Sequence, residues 1–441
     1  MQSHRTVFQA ALCLSLYGLA GPALAQNQWV EPAQPAPMLN ERPGGSYHAR
    51  LCSDRLAVCV HATEPSFAKP LPHTLSILEK AYQNVVFVLN WRAPMKEGLP
   101  AASGFDVYLV GEGPTWSVRP DPPKDNTTLA RSTAFGLLRY DALDTCATEF
   151  ALAAAVARAG IYAIDAAAND ELANATATYI ASLVVSCPSA FIAGLDDFQA
   201  SPYLAVSNPI HDQGRGALLF PWFIQTTYGS GNPADLLHAL WALSSQPYPK
   251  DSGILLNEPD FLDTMSTLAA DTRRSPSDLW LDFAVARAFV GNRDNGAYLP
   301  DTRFVGSAGA VRFEWSVSFS SLPRRFAPRY PVEPTGSSYL WLSLDSPSPH
   351  AGLGFRADWE QPDRFRFALV LVDEQGQTLS RFNPMTEERG TSVEANIETL
   401  TGAKGILVVA TNTGSVLQDI AFDPDNHPYT PRGFTVSLFA Q

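Results

Sequence analysis

Thr145-Cys-Ala-Thr-Glu-Phe-Ala-Leu-Ala-Ala-Ala-Val-Ala-Arg-Ala-Gly-Ile-Tyr-Ala-Ile164 carries apolar residues on every side of a helix. A helix without a polar face is buried, so this segment is expected to run through the middle of a domain. Its early turns nevertheless hold Thr148 and Glu149. A buried carboxylate is costly unless it is paired, hydrogen-bonded or wet. Glu149 therefore marks a point of interest, although a carboxylate near a helix N-terminus is also favoured by the helix dipole.

A second helical pattern spans 170–186, joined to the first by a short turn near Ala166–Asn169. Such a connection makes the two helices antiparallel. Cys146 opens the first helix and Cys187 follows the second. With a 1.5 Å rise per residue, the chain goes up and returns to nearly the same level. A Cys146–Cys187 disulfide is expected to tie the open end. In straight antiparallel helices Glu149 would lie near the tied end and Asn174 nearer the far one. Cys52 and Cys59 flank six residues, as in a clipped hairpin. Zinc–thiolate binding is the rival reading, but neither the C-x2-C nor the C-x4-C spacing occurs. Two disulfides, Cys52–Cys59 and Cys146–Cys187, are therefore expected.

Upstream, the spacing of Leu75, Leu78, Tyr82, Val85 and Leu89 predicts an amphipathic helix over 74–91. Strands are expected at 51–61, Phe105–Val110 and Leu137–Leu143. Downstream, helices are expected over 214–228, 233–244, 258–271 and 277–290, the last opened by Pro276-Ser277. After about residue 305 the texture changes. Tyr339–Leu344, Phe365–Val372, Ile406–Ala410 and Phe434–Phe439 are strand-like runs separated by turn signals. The fold class is read as α+β, with a helix-rich domain over 47–304 and a C-terminal all-β sandwich over 305–441.

At the other end, Arg5, an apolar stretch from Val7 to Ala20 and the Ala23-x-Ala25 exit read as an export signal over 1–25, cleaved after Ala25. The apolar stretch is shorter than the ~20 residues that span a bilayer. Residues 26–46, with Pro32, Pro35, Pro37 and Pro43, read as a Pro-rich leader. The product is expected to be secreted or periplasmic. The 441-residue chain has a formal net charge of −13, and loss of Arg5 makes it one unit more negative. An acidic chain argues against nucleic acid and anionic membranes as partners.

In order, Phe105-Asp-Val-Tyr-Leu-Val110, Ala147-Thr-Glu-Phe-Ala-Leu-Ala153, Asn174-Ala-Thr-Ala-Thr-Tyr179, Gly216–Phe220 running on to Tyr228-Gly229, and Asp282–Ala288 resemble a group of secreted bacterial metalloproteases of the zincin, gluzincin-like type, found in myxobacteria and their relatives. The resemblance implies a zincin-like domain in which A-H-E-F-x-H-A lies on one helix and a Glu on the next completes the zinc site. This chain departs from that pattern. Thr148 and Leu152 stand where the histidines belong, and Asn174 stands where the ligand Glu belongs. Only Glu149, the general-base position, is kept. Leu has no lone pair to give, and a neutral hydroxyl or amide is a poor zinc ligand. The resemblance thus implies a scaffold whose zinc is lost, with Glu171, one turn before Asn174, as a substitute ligand if a non-standard site exists. None of the histidines after Ala25 has an i, i+4 partner.

Other constellations are weaker. No G-x-S-x-G elbow occurs. Gly352-Leu-Gly354 is a chance likeness to a dinucleotide loop. Asp423, Asp425 and Asn426 read as a polar turn before a calcium site. Trp341, Trp359 and Tyr339 read as core before a carbohydrate platform. The expected function is that of a non-catalytic metalloprotease homologue binding a protein or peptide ligand without a cofactor. The alternatives are an active peptidase or other hydrolase using Glu149 at a non-standard site, and a structural envelope component.

Overall fold

A computed structural model describes residues 42–43, 49–96, 104–123, 128–142, 145–210, 212–248, 258–344, 351–360, 363–387, 390–415 and 431–441. The expected export signal over 1–25, most of the expected leader over 26–46 and the segment Asp423–Asn426 lie outside these residues.

The first half opens with β1 (Ala49–Cys52) and β2 (Val58–Ala62), followed by α1 (Leu71–Tyr82), β3 (Phe105–Val110), β4 (Trp116–Pro120) and β5 (Ala134–Arg139). The strands form one mixed sheet in the order β1-β2-β3-β5-β4, with β2, β3 and β5 parallel and antiparallel strands at both edges. Side chains alternate across a strand, and here the two faces differ in kind. Val58, Val60, Ala62, Val107, Leu109, Leu138 and Val118 join the main core. Cys59, His61 and Asp106 lie between them in sequence and belong to the opposite face.

Then come α2 (Thr145–Tyr162), α3 (Asp170–Val184), α4 (Pro188–Ile192), α5 (Leu195–Ala200), α6 (Leu219–Tyr228), α7 (Asp235–Leu243), α8 (Thr264–Asp271) and α9 (Pro276–Ala288). As its composition requires, α2 is buried along nearly its whole length. The chain approaches it closely at Gly160, where a Cβ would collide with the Arg92 carbonyl, and the Trp91 indole donates to the Ala157 carbonyl at 2.9 Å. α2 and α3 pack together, and Cys146–Cys187 joins their open end as expected. Cys52–Cys59 clips β1 to β2.

Several boundaries differ from the sequence expectations. α1 starts at Leu71, and its apolar stripe continues through Val85 and Leu89 as a wider π-type turn over Gln83–Val88. The strand expected at Leu137–Leu143 is β5, which ends at Arg139. Residues 258–263 form turns, with Asp260 and Asp263 accepting from one another's backbone N–H, so α8 begins at Thr264. α9 is capped by Ser275, whose side chain accepts from the Asp278 N–H.

The C-terminal part is β-rich: β6 (Trp315–Ser318), β7 (Arg324–Phe326), β8 (Ser337–Ser343), β9 (Leu353–Trp359), β10 (Asp363–Val372), β11 (Thr378–Phe382), β12 (Ser392–Ile397), β13 (Gly405–Ser415) and β14 (Phe434–Ala440). One sheet runs β11-β10-β13-β8-β6 and the other β12-β9-β14-β7. Their inner faces share a core that includes Leu342, Phe367 and Val408 from the first sheet and Phe355, Val393 and Leu438 from the second. Tyr339 and Trp359 are buried, in keeping with a packing role.

The outer face of the first sheet packs on α9. Leu281, Ala284, Val285 and Ala288 meet Tyr339, Val370, Leu407 and Val409, and the Tyr339 hydroxyl donates to the Ala284 carbonyl at 2.8 Å. Glu333 adds a polar fastening, its Oε2 accepting from Ala205 N at 2.8 Å and Asn208 Nδ2 at 2.9 Å.

Candidate functional site

The first turns of α2 hold Thr148, Glu149 and Leu152 together, as their spacing demands. Thr148 and Leu152 are 3% and 1% exposed. Glu149 turns toward α1, where the Lys80 ammonium lies 3.3 Å from both carboxylate oxygens. Among the described residues Glu149 shares no cluster of three His, Cys, Asp or Glu ligand atoms.

Asn174 is not brought to Glu149. Its Oδ1 accepts from Arg158 Nη1 at 2.6 Å, and Arg158 Nη2 also reaches the Tyr162 hydroxyl at 2.7 Å and Asp170 Oδ1 at 2.6 Å. These partners sit at the turn end of the hairpin, more than two helical turns from Glu149. Burial alone would lower the Arg158 pKa, but the charges and hydrogen bonds of Tyr162 and Asp170 outweigh it and hold it above the ordinary guanidinium value. Glu171 lies at the same far end. Burial, reinforced by the Asp170 charge, pushes its carboxyl up to about 7. Antiparallel pairing places residues near the start of α3 beside the end of α2, so neither Asn174 nor Glu171 shares a site with Glu149.

A groove of about 380 Å³ opens beside the tied end of the hairpin. Phe150 from α2, Tyr179 from α3, Phe191 from α4, Trp222 from α6 and Phe304 from the 3-10 segment Arg303–Gly309 after α9 line it, with Cys187 and Asp301. Phe191 is the hub, its ring 5.5 Å edge-on from Trp222 and 5.2 Å from Phe304. Phe304 is 51% exposed, so the groove presents an aromatic ring to solvent. The disulfide fixes the floor, because Cys187 both lines the groove and anchors the end of the hairpin to Cys146. The volume and the aromatic lining with few polar groups suit an apolar side chain or small hydrophobic ligand. Sequence reasoning missed Phe191, Trp222 and Phe304. They come from separate segments, and no local spacing announces their convergence.

No protein-family model matches the chain, and no curated protein matches it. Similar solved structures include the pre-peptidase C-terminal domain of collagenase from Bacillus anthracis, at 11% identity over 29% of this chain and 96% of that one, with a TM-score of 0.19. CorA, a surface-associated copper-binding protein of Methylomicrobium album BG8, is 8% identical over 28% of this chain and 96% of its own, TM-score 0.20. The enzymatically active domain of tailspike protein 4 from bacteriophage CBA120 is 11% identical over 27% of this chain and 16% of that one, TM-score 0.18. Likenesses at this level carry no argument about function.

Proposed function

We propose that this chain is an extracytoplasmic binding protein on a metallopeptidase-like scaffold, and that its aromatic groove receives an apolar side chain of a peptide or protein ligand. One observation carries the reading: five aromatic rings from separate segments converge on one open groove, with Phe304 left half in water. The scaffold reading draws support from the element order, in which β3 precedes the Glu149 helix and α3, α6 and a β-rich tail follow. An export route agrees with two disulfides. Among the described residues no helix is long and apolar enough to cross a membrane.

Calorimetric titration with capped hexapeptides tests it. Peptides with a central Phe or Leu are expected to bind and those with a central Asp or Lys are not. Trp222→Ala and Phe304→Ser should each cost at least ~1 kcal/mol of affinity, as anchors of an apolar pocket do. Glu149→Gln should leave affinity unchanged and alter stability by less than about 1 kcal/mol, because its partner Lys80 is mostly exposed and the pair is screened by water. Binding indifferent to Trp222 and Phe304 would remove the groove from consideration. Peptide cleavage abolished by Glu149→Gln would replace the binding reading with a hydrolytic one.

A further inference from the structure

On the polar face of the first sheet, three ligand atoms converge: Cys59 Sγ, a ring nitrogen of His61 and a carboxylate oxygen of Asp106 all lie within 4.8 Å of one another. Register explains why. Cys52 faces Cys59 across β1 and β2, and Cys59 faces Asp106 across β2 and β3. His61, two residues beyond Cys59, points the same way. Cys59 and His61 are each 2% exposed and Asp106 is 5% exposed. This set escapes every linear metal motif, because two adjacent strands far apart in sequence supply it.

Its surroundings suit a site that gains negative charge. Arg50 donates to both sulfurs, at 2.9 Å to Cys52 and 3.2 Å to Cys59. Arg42 donates to Asp106 Oδ2 at 2.6 Å and is itself gripped by Asp121 at 2.9 and 2.6 Å. His61 Nε2 lies 2.9 Å from Asp106 Oδ1, and its ring stacks on Tyr108 with centroids 4.5 Å apart. The donors are thus oriented before any ion arrives, as second-shell contacts do in metal sites.

We infer that the Cys52–Cys59 clip is one state of a redox-controlled site, and that its reduced form holds one thiophilic divalent ion of the zinc class on Cys59, His61 and Asp106, with the freed Cys52 thiolate turning in as the fourth donor. A dithiol opens the clip. Two electrons and two protons pass to the sulfurs, and the reductant becomes its own disulfide. Zinc then displaces the two thiol protons to solvent and takes the place of the proton between His61 Nε2 and Asp106, and that proton moves to the ring's other nitrogen, so the imidazole stays neutral. Two thiolates and a carboxylate carry three negative charges. The ion leaves one, and Arg42 and Arg50 face it. Mixed sulfur, imidazole and carboxylate donation matches zinc and its spectroscopic stand-in cobalt. In the oxidised clip the sulfurs are bonded to each other and the ion has no thiolate to hold it. This site is separate from the groove and stands or falls without it.

Cobalt(II) titration of the full mature chain tests this, with and without prior reduction by a water-soluble phosphine. The reduced protein is expected to take up one ion with a thiolate-to-cobalt charge-transfer band, and the oxidised protein to show no band. Alkylation mapped by mass spectrometry should find Cys52 and Cys59 shielded by the ion and Cys146 and Cys187 unaffected. Because that readout uses the unaltered chain, it survives a variant that misfolds. Arg42→Gln should weaken binding about ten- to hundredfold, as loss of a second-shell partner does, and His61→Gln should weaken it more. Absence of the band after reduction, shielding confined to Cys146 and Cys187, or equal binding by the oxidised chain would each overturn the assignment.

Discussion

Replacing Cys146 and Cys187 together by Ser is expected to lower the unfolding free energy by about 4 kcal/mol. The bridge closes a loop with a sequence separation of 41, and in the chain-entropy account a loop of that size confines the unfolded chain by about that much. The matching change at Cys52 and Cys59, whose separation is 7, should cost only about 2 kcal/mol by the same relation. Urea unfolding of both double-Ser variants without reductant measures the difference. The ordering is the sensitive part, because strain or residual structure alters each value but the loop lengths differ almost sixfold. Equal losses would show that the long bridge acts on the folded chain alone. Cys187 also lines the aromatic groove, so the Cys146/Cys187 variant should bind apolar peptides more weakly even where it is fully folded.

Asp165→Asn is expected to stabilise the protein above neutral pH and to do nothing in acid. Asp165 is wholly buried in the turn between α2 and α3 and is held by neutral donors, the Ala167 N–H at 3.0 Å and the Gln246 amide at 3.3 Å. Burial pushes its carboxyl up to about 7 from 3.8, against the weaker pull of those donors. Between these values the native state holds a proton that the unfolded chain has released, so stability falls as pH rises. The contribution is whole below 3.8 and lost above about 7. A shift of this size corresponds to roughly 4 kcal/mol. Asn keeps an acceptor for both donors and never ionises. The variant should match the wild type near pH 3.5, draw ahead through the window and lead by several kcal/mol at pH 8. Unfolding free energies with the same pH dependence in both proteins would show that Asp165 does not titrate on folding.

The sequence reveals those elements whose pattern reflects only their own burial. α2 is apolar on every side and is buried on every side. The runs that became β8, β10, β13 and β14 are β-branched and aromatic, and they form the middle of two sheets. The pairing of Cys146 with Cys187 follows from helix rise alone. Where a neighbour decides, local pattern fails. β9 hides behind Gly352 and Gly354, which suggest a loop; Gly354 is needed because the Phe439 ring lies where its Cβ would be. β12 alternates charged and apolar residues so weakly that no run stands out. The candidate site divides in the same way. The grouping of Thr148, Glu149 and Leu152 is a property of one helix and could be read. The separation of Asn174 from Glu149 depends on the direction of α3, and the groove depends on five segments meeting.

α9 gives the change of texture near residue 305 a different meaning. Trp280 and Phe283 press on Phe220 of the helical half, while Leu281, Ala284 and Val285 press on the sheet of the other. The helix is a party wall, owned by both rooms. A large-to-small change along it removes support from two cores at once, and neither half can drift in shape without the other following. The boundary visible in composition is thus a change of building material across a shared helix.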